Sequence, residues 1–189
     1  MGDLLADGEL LRNARAGEED AFRVLYERHR DAVFGFAYRL LGSTSLAEDV
    51  THSSFLTILR KPDSFDSSRQ ASLRTYLCAA ARNHAFRELR RRGAPVDVEE
   101  NLDRLPAGGP GPLDALVSRE RSERVAEAVA RLPPLQREAL VLFEYEEMSI
   151  AQIAEIIGAT QGTVNARLHR ARERLRGWLT EGTDRGGKP

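Results

Sequence analysis

The chain has 189 residues, 41% of them hydrophobic, with a net charge of -1. That length holds one large domain or two small ones, and the near-neutral balance rules out a protein that is basic throughout, so any phosphate-binding surface must be local. A lone cysteine, Cys78, excludes an internal disulfide and a cysteine-rich metal site. No stretch has the length of a membrane span and the acidic start has no signal-peptide character, so the expectation is a soluble, cytoplasmic protein without membrane insertion.

Residues 7–16 form a short amphipathic helix with Leu10, Leu11 and Ala14 on one side, stopped by Gly17. Glu18, Glu19 and Asp20 place acid in the first turn of the next helix, where it complements the helix dipole. That helix is long: Phe22, Leu25, Tyr26, His29, Val33, Phe36, Ala37 and Leu40 recur at helical spacing up to Gly42. Ser45 with Glu48 has the spacing of a capping box and opens a helix to about Arg60. Leu46, Ala47, Val50, Phe55, Ile58 and Leu59 are its apolar side; Glu48, Asp49, His52 and Ser53 are its polar side. Lys61-Pro62-Asp63 breaks it.

A polar loop follows, with Asp66, Ser67, Ser68, Arg69 and Gln70. Ser72 caps a helix reaching Arg92, with Leu73, Tyr76, Leu77, Ala80, Ala81 and His84 inward. Its end is basic: Arg82, Arg87, Arg90, Arg91 and Arg92, with Asn83 alongside. Such an end is either a solvated, dipole-stabilised terminus or a track for a phosphate backbone. Residues 93–112 carry four prolines, four glycines and the acids Asp97, Glu99, Glu100 and Asp103, and read as a flexible linker. Helices at 113–132 and 135–144 flank Pro133-Pro134.

Next, Ser149 and Gln152 form a second capping-box spacing ahead of the stripe Ile150, Ile153, Ala154 and Ile157. Gly158 suits the left-handed position that ends a helix. Thr160 or Gln161 caps the last helix, whose buried stripe is Val164, Leu168, Ala171 and Leu175. Asn165, Ala166, Arg167, His169, Arg170 and Arg174 fall off that stripe. Two helices around a glycine turn, the second one basic, are either an ordinary helical hairpin or a helix-turn-helix, whose second helix enters the DNA major groove. The tail from Thr180 is polar, glycine-rich and expected to fray. No strand pattern occurs, so the fold class is all-α: two small helical domains on a flexible linker, the C-terminal one with a helix-turn-helix.

Two sets of motifs then stand in order. The first is Gly17-Glu18-Glu19-Asp20-Ala21-Phe22, Ala47-Glu48-Asp49-Val50 with Phe55-Leu56, Phe65-Asp66, Ser72-Leu73-Arg74-Thr75-Tyr76-Leu77, and Ala81-Arg82-Asn83 leading to Arg90-Arg91-Arg92. The second is Leu132-Pro133-Pro134-Leu135-Gln136-Arg137-Glu138, Ile153-Ala154-Glu155-Ile156-Ile157-Gly158 and Gly162-Thr163-Val164-Asn165-Ala166-Arg167-Leu168-His169-Arg170-Ala171-Arg172. In this order, with this linker, the chain resembles a bacterial sigma factor of the extracytoplasmic-function (ECF) group, over nearly all of 17–176.

The resemblance implies the following division of labour. Residues 1–92 bind core RNA polymerase at the clamp helices of its largest subunits, through Glu48, Asp49, His52 and Ser53. They also recognise and melt the −10 element through Asp66, Ser67, Ser68, Arg69, Gln70, Arg82, Asn83, Arg87, Arg90 and Arg91. The linker, 93–112, threads the channel that later carries RNA. Residues 113–179 read the −35 element through Gln161, Thr163, Asn165, Ala166, Arg167, His169 and Arg170, and 180–189 are a disordered tail. An anti-sigma factor is the implied regulator, with promoter DNA and polymerase the other partners and no cofactor, metal or enzymatic step.

The chain departs from the family where His52 and Ser53 replace a common Gln followed by an acid, where Ile58 or Leu59 replaces Trp, where Arg87 replaces Asp, and where Asn165 and Ala166 replace a base and Ser. Readings outside the resemblance are a simple DNA-binding regulator and a sigma-like decoy. A triad of Asp49, His52 and Ser53 or Ser54 is set aside: all lie on one helix, without an oxyanion loop. His29 and His84 fall on apolar faces and read as hydrogen-bonded core histidines, and Cys78 as a small core residue.

Overall fold

The computed structural model describes residues 6–60, 72–94 and 119–184. The chain divides after Gly93 into two units. The first holds α1 (Asp7–Arg15), α2 (Glu19–Leu41), α3 (Thr44–Arg60) and α4 (Leu73–Arg91). The second holds α5 (Arg119–Arg131), α6 (Pro134–Glu144), α7 (Ile150–Ile157) and α8 (Gln161–Asp184). Among the described residues every regular element is a helix.

In the first unit α2 is the central element, packed against α1, α3 and α4. Its stripe Leu25, Val33, Phe36, Ala37 and Leu40 is fully buried, as are Ile58 of α3 and Leu77, Cys78 and Ala81 of α4. Each large side chain so buried contributes roughly 1.5–3 kcal/mol of transfer free energy. Phe22 and Tyr26 of α2 meet Phe55 of α3 with ring centroids 6.3 and 4.7 Å away. Gly42 ends α2 at φ 66°, and its N–H donates to the Tyr38 carbonyl.

α1 is tied down by charge. Asp7 accepts from Arg28 at 2.6 Å and lies 2.9 Å from His29 Nε2. Arg15 donates to the Ile58 carbonyl near the end of α3, at 2.7 Å through Nη2. That satisfies a terminal carbonyl the helix cannot pair internally.

α3 begins at Thr44, so Ser45 lies inside the first turn rather than capping from outside, and the expected capping box with Glu48 is not what opens this helix. The expected cap on α4 is present: Ser72 Oγ accepts from the Thr75 N–H at 3.1 Å. The polar loop expected from Phe65 to Ser72 lies outside the described residues apart from Ser72, and the linker lies outside them apart from Gly93 and Ala94.

In the second unit Pro134 occupies the first helical position of α6, where its missing N–H costs nothing. Arg137 turns back and donates to the Leu132 carbonyl at 2.8 Å and to Ala130 at the end of α5. Ala139, Leu140, Val141 and Leu142 are buried, as are Ile153, Ala154 and Ile157 of α7. α8 continues to Asp184, past the expected end near residue 179, so the start of the expected tail is helical.

Candidate nucleic-acid interface

The turn between α7 and α8 is built as its residues dictate. Ser149 Oγ accepts from the Gln152 N–H, and Gln152 Oε1 accepts from the Ser149 N–H at 2.9 Å, completing a capping box. Gly158 ends α7 in the left-handed region at φ 65°. Thr160 Oγ1 then accepts from the Thr163 N–H at 3.1 Å and starts α8. Val164, Leu168, Ala171 and Leu175 are buried, which fixes the opposite side of α8 as its outer face.

Of the residues expected to read the −35 element, Gln161 and Asn165 are exposed, and Thr163, Ala166, His169 and Arg170 are partly exposed. Arg167 departs from that face. It is 9% exposed, and its Nη1 stands 4.0 Å from Oε2 of the fully buried Glu138 of α6. Arg167 follows Val164 by three residues and precedes Ala171 by four, so it shares a helix row with the buried stripe. Arg167 therefore belongs to the buried side of α8 and not to the outer face expected from the sequence. The spacing carried that signal, as did the lone acid Glu138 between buried Gln136 and Ala139.

In the first unit Glu48, Asp49 and His52 are exposed and Ser53 half-buried on one side of α3. Ser54, the other serine considered for a triad, is buried and donates its hydroxyl to the Val50 carbonyl at 2.7 Å. Glu48, Asp49 and His52 border a groove whose other wall is Tyr26, Asp31 and Phe34 of α2. Sequence reasoning did not include this α2 wall.

A second groove, of about 420 Å³, runs between α3 and α4. Leu56 and Ala80 give it an apolar lining; Ser53, Asn83, Arg60 and Arg87 give it polar groups. His84 lies in it, with Nε2 3.0 Å from Thr57 Oγ1. The Thr57 hydroxyl donates to the Ser53 carbonyl at 2.8 Å, so the imidazole supplies the hydrogen between them. Burial, helped by the Arg87 charge, holds the His84 pKa below its ordinary value. Burial also lowers that of His29, against the opposing pull of Asp7.

The structure sorts the arginine run. Arg82 lies over the Phe86 ring at 4.8 Å and donates to Asn83 at 3.3 Å. Arg87 and Arg90 are exposed. Arg91 and Arg92 are also exposed but both bind Glu88, at 2.7 and 2.8 Å. Their hydrogen bonds hold the Glu88 carboxyl at a pKa of about 2. The expected contacts Asp66, Ser67, Ser68, Arg69 and Gln70 lie outside the described residues. Among the described residues no group of three His, Cys, Asp or Glu could hold a metal ion, and no helix is long and apolar enough to cross a membrane.

Residues 25–94 match the family model Sigma-70 region 2, and residues 122–175 match Sigma-70, region 4. The chain is 32% identical over 180 residues to the ECF RNA polymerase sigma factor SigW of Bacillus subtilis (strain 168), covering 90% of this chain and 95% of that protein. It is 33% identical over 169 residues to the RNA polymerase sigma factor CarQ of Myxococcus xanthus, covering 88% and 94%. The sigma factor RpoE solved in complex with the anti-sigma factor NepR from Bartonella quintana is similar at a TM-score of 0.63 and 27% identity, covering 84% of this chain and 96% of that one. CnrH, solved with the cytosolic domain of CnrY, is similar at 0.66 and 26%, covering 94% and 99%.

Proposed function

The chain belongs to the ECF group of the sigma-70 family of RNA polymerase sigma factors, and from that premise we propose how its residues divide the work of promoter-directed transcription initiation. The observation that carries the reading is α8: a capped helix behind a left-handed glycine turn, with Asn165, His169 and Arg170 on its accessible side. Placed in the major groove of the −35 element, Asn pairs bidentately with adenine and Arg with guanine. Gln161 and Thr163 stand at the start of the same helix. There they meet the backbone phosphates, which helix N-termini attract.

In the first unit Glu48, Asp49, His52 and Ser53 take the clamp helices of the largest polymerase subunits. Their support is a shared, accessible side of α3 that carries two carboxylates. The groove between α3 and α4 takes the separated −10 strand: Asn83 faces a base edge, and Arg87 and Arg90 face phosphates. Unstacking a base costs a few kcal/mol, which apolar and hydrogen-bonding contacts in such a groove offset. Asp66, Ser67, Ser68, Arg69 and Gln70, which precede α4 in the chain, contact the same strand, and the 93–112 segment runs through the RNA channel. The factor works in the cytoplasm as a transcription initiation factor, supplying no catalytic group and taking no cofactor. An anti-sigma factor restrains it, a reading supported by the two solved relatives, RpoE and CnrH, and by the partners named with them.

Run-off transcription with bacterial core polymerase and a promoter library, with and without the chain, tests this. Chain-dependent transcripts sharing two upstream elements at fixed spacing are expected. Binding to polymerase without any transcript points to a decoy, and duplex binding without polymerase to a simple regulator; either defeats the reading.

A further inference from the structure

Glu138 is an acid on the buried side of α6, with its side chain 0% exposed. An ionised carboxylate is kept in such a place only beside a compensating charge. Arg167 of α8 supplies one, its guanidinium 4.0 Å away and its side chain 11% exposed. Further along the same helix pair, Arg172 of α8 donates to Glu144 of α6 at 2.7 Å and lies over the Phe143 ring at 5.1 Å. Both cations therefore stand on α8 and both anions on α6, at two heights.

The apolar stripe of α8 sets which side of the helix faces inward, but it holds the exact rotation only loosely. Contacts of Val164, Leu168 and Ala171 are non-directional, and a rotated helix still buries most of their area. The Arg167 guanidinium and the Glu138 carboxylate stand 4.0 Å apart in a buried setting, and their attraction weakens when a turn of the helix separates them. Successive helix residues differ by about 100° in azimuth, so fixing Arg167 fixes where Asn165, His169 and Arg170 point.

We propose that Glu138 and Arg167 are positioning residues for promoter recognition: they set the rotation of α8 on α6, and through it which base edges Asn165 and Arg170 meet, without touching DNA themselves. This rests on reading α8 as the −35 helix. A buried ionic pair used to specify register rather than to add stability is its best-attested role.

The test uses the full chain with core polymerase and two promoters that differ only in the −35 element, below the melting temperature of every variant. Glu138→Gln keeps the shape and removes the charge. The double variant Glu138→Leu with Arg167→Met replaces the pair by apolar groups, a change that buried pairs often tolerate without loss of stability. Both are expected to melt cooperatively and to lose discrimination between the promoters about tenfold, the worth of one mis-set bidentate contact. A merely destabilised protein would lower both transcripts together and leave their ratio unchanged. Wild-type discrimination in either folded variant overturns the inference. Arg170→Ala is run alongside: if it leaves discrimination intact, the reading of α8 fails first, and the two failures are told apart.

Discussion

Glu88 decides what the arginines at the end of α4 can do. It holds Arg91 and Arg92 through three hydrogen bonds, and Arg87 and Arg90 are exposed. Such pairs add little to stability on a wet surface, but they compete with phosphate for the same guanidinium groups. Glu88→Gln is therefore expected to steepen the salt dependence of holoenzyme–promoter binding, by a slope of about 0.7–0.9 for each phosphate contact released. Affinity measured over a salt series checks it, and an unchanged slope would show that Arg91 and Arg92 meet no phosphate. The same scale separates two arginines of α8. Arg170→Ala is expected to weaken −35-dependent transcription by about 1–3 kcal/mol with the fold intact. Arg167→Ala removes the cation beside the buried Glu138 and is expected to cost about 3 kcal/mol of folding stability, read by thermal melting.

The helix-turn-helix is held by its ends as much as by its core. Ser149 and Gln152 satisfy each other's backbone groups at the start of α7, and Gly158 closes it in a conformation other residues adopt at a cost. Ser149→Ala is expected to cost about 1 kcal/mol. Gly158→Ala costs a similar ~1 kcal/mol for a different reason. A Cβ there would meet nothing within 4 Å, so the penalty is backbone strain at φ 65° alone. Amide hydrogen exchange across 150–165 separates these from a core effect: both variants should lose protection in α7 before α6. Equal loss throughout the unit would refute the local account.

At the scale of the whole molecule, two histidines of the first unit, buried His29 and half-buried His84, matter to its pH response. His29 faces Asp7, Arg28 and Arg74; His84 faces Thr57 and Arg87. Both have pKa values below the ordinary 6.5 in the folded chain. The unfolded chain then binds more protons through that range, so stability is fully present above about pH 6.5 and falls as pH drops through it toward the folded values. Urea unfolding of this unit between about pH 8 and pH 5.5 should show the loss, and His84→Gln should flatten it. A pH-independent midpoint in the wild-type chain would sink the expectation.

Periodicity, glycine and capping residues were sufficient to read eight helices in order, the glycine turn and the basic outer side of α8, because each is a property of a few adjacent residues. The family itself was legible in the order of its motifs. What the sequence alone could not decide depends on side chains far apart in the chain. The spacing puts Arg167 on the row of the buried stripe, but only the packing puts Glu138, 29 positions earlier, beside it. Tyr26, Asp31 and Phe34 join Glu48 and Asp49 only because α2 packs on α3. Whether an arginine is buried, tied to a carboxylate or exposed to solvent is fixed by which helix lies across from it, and pairing at that range is set by tertiary packing.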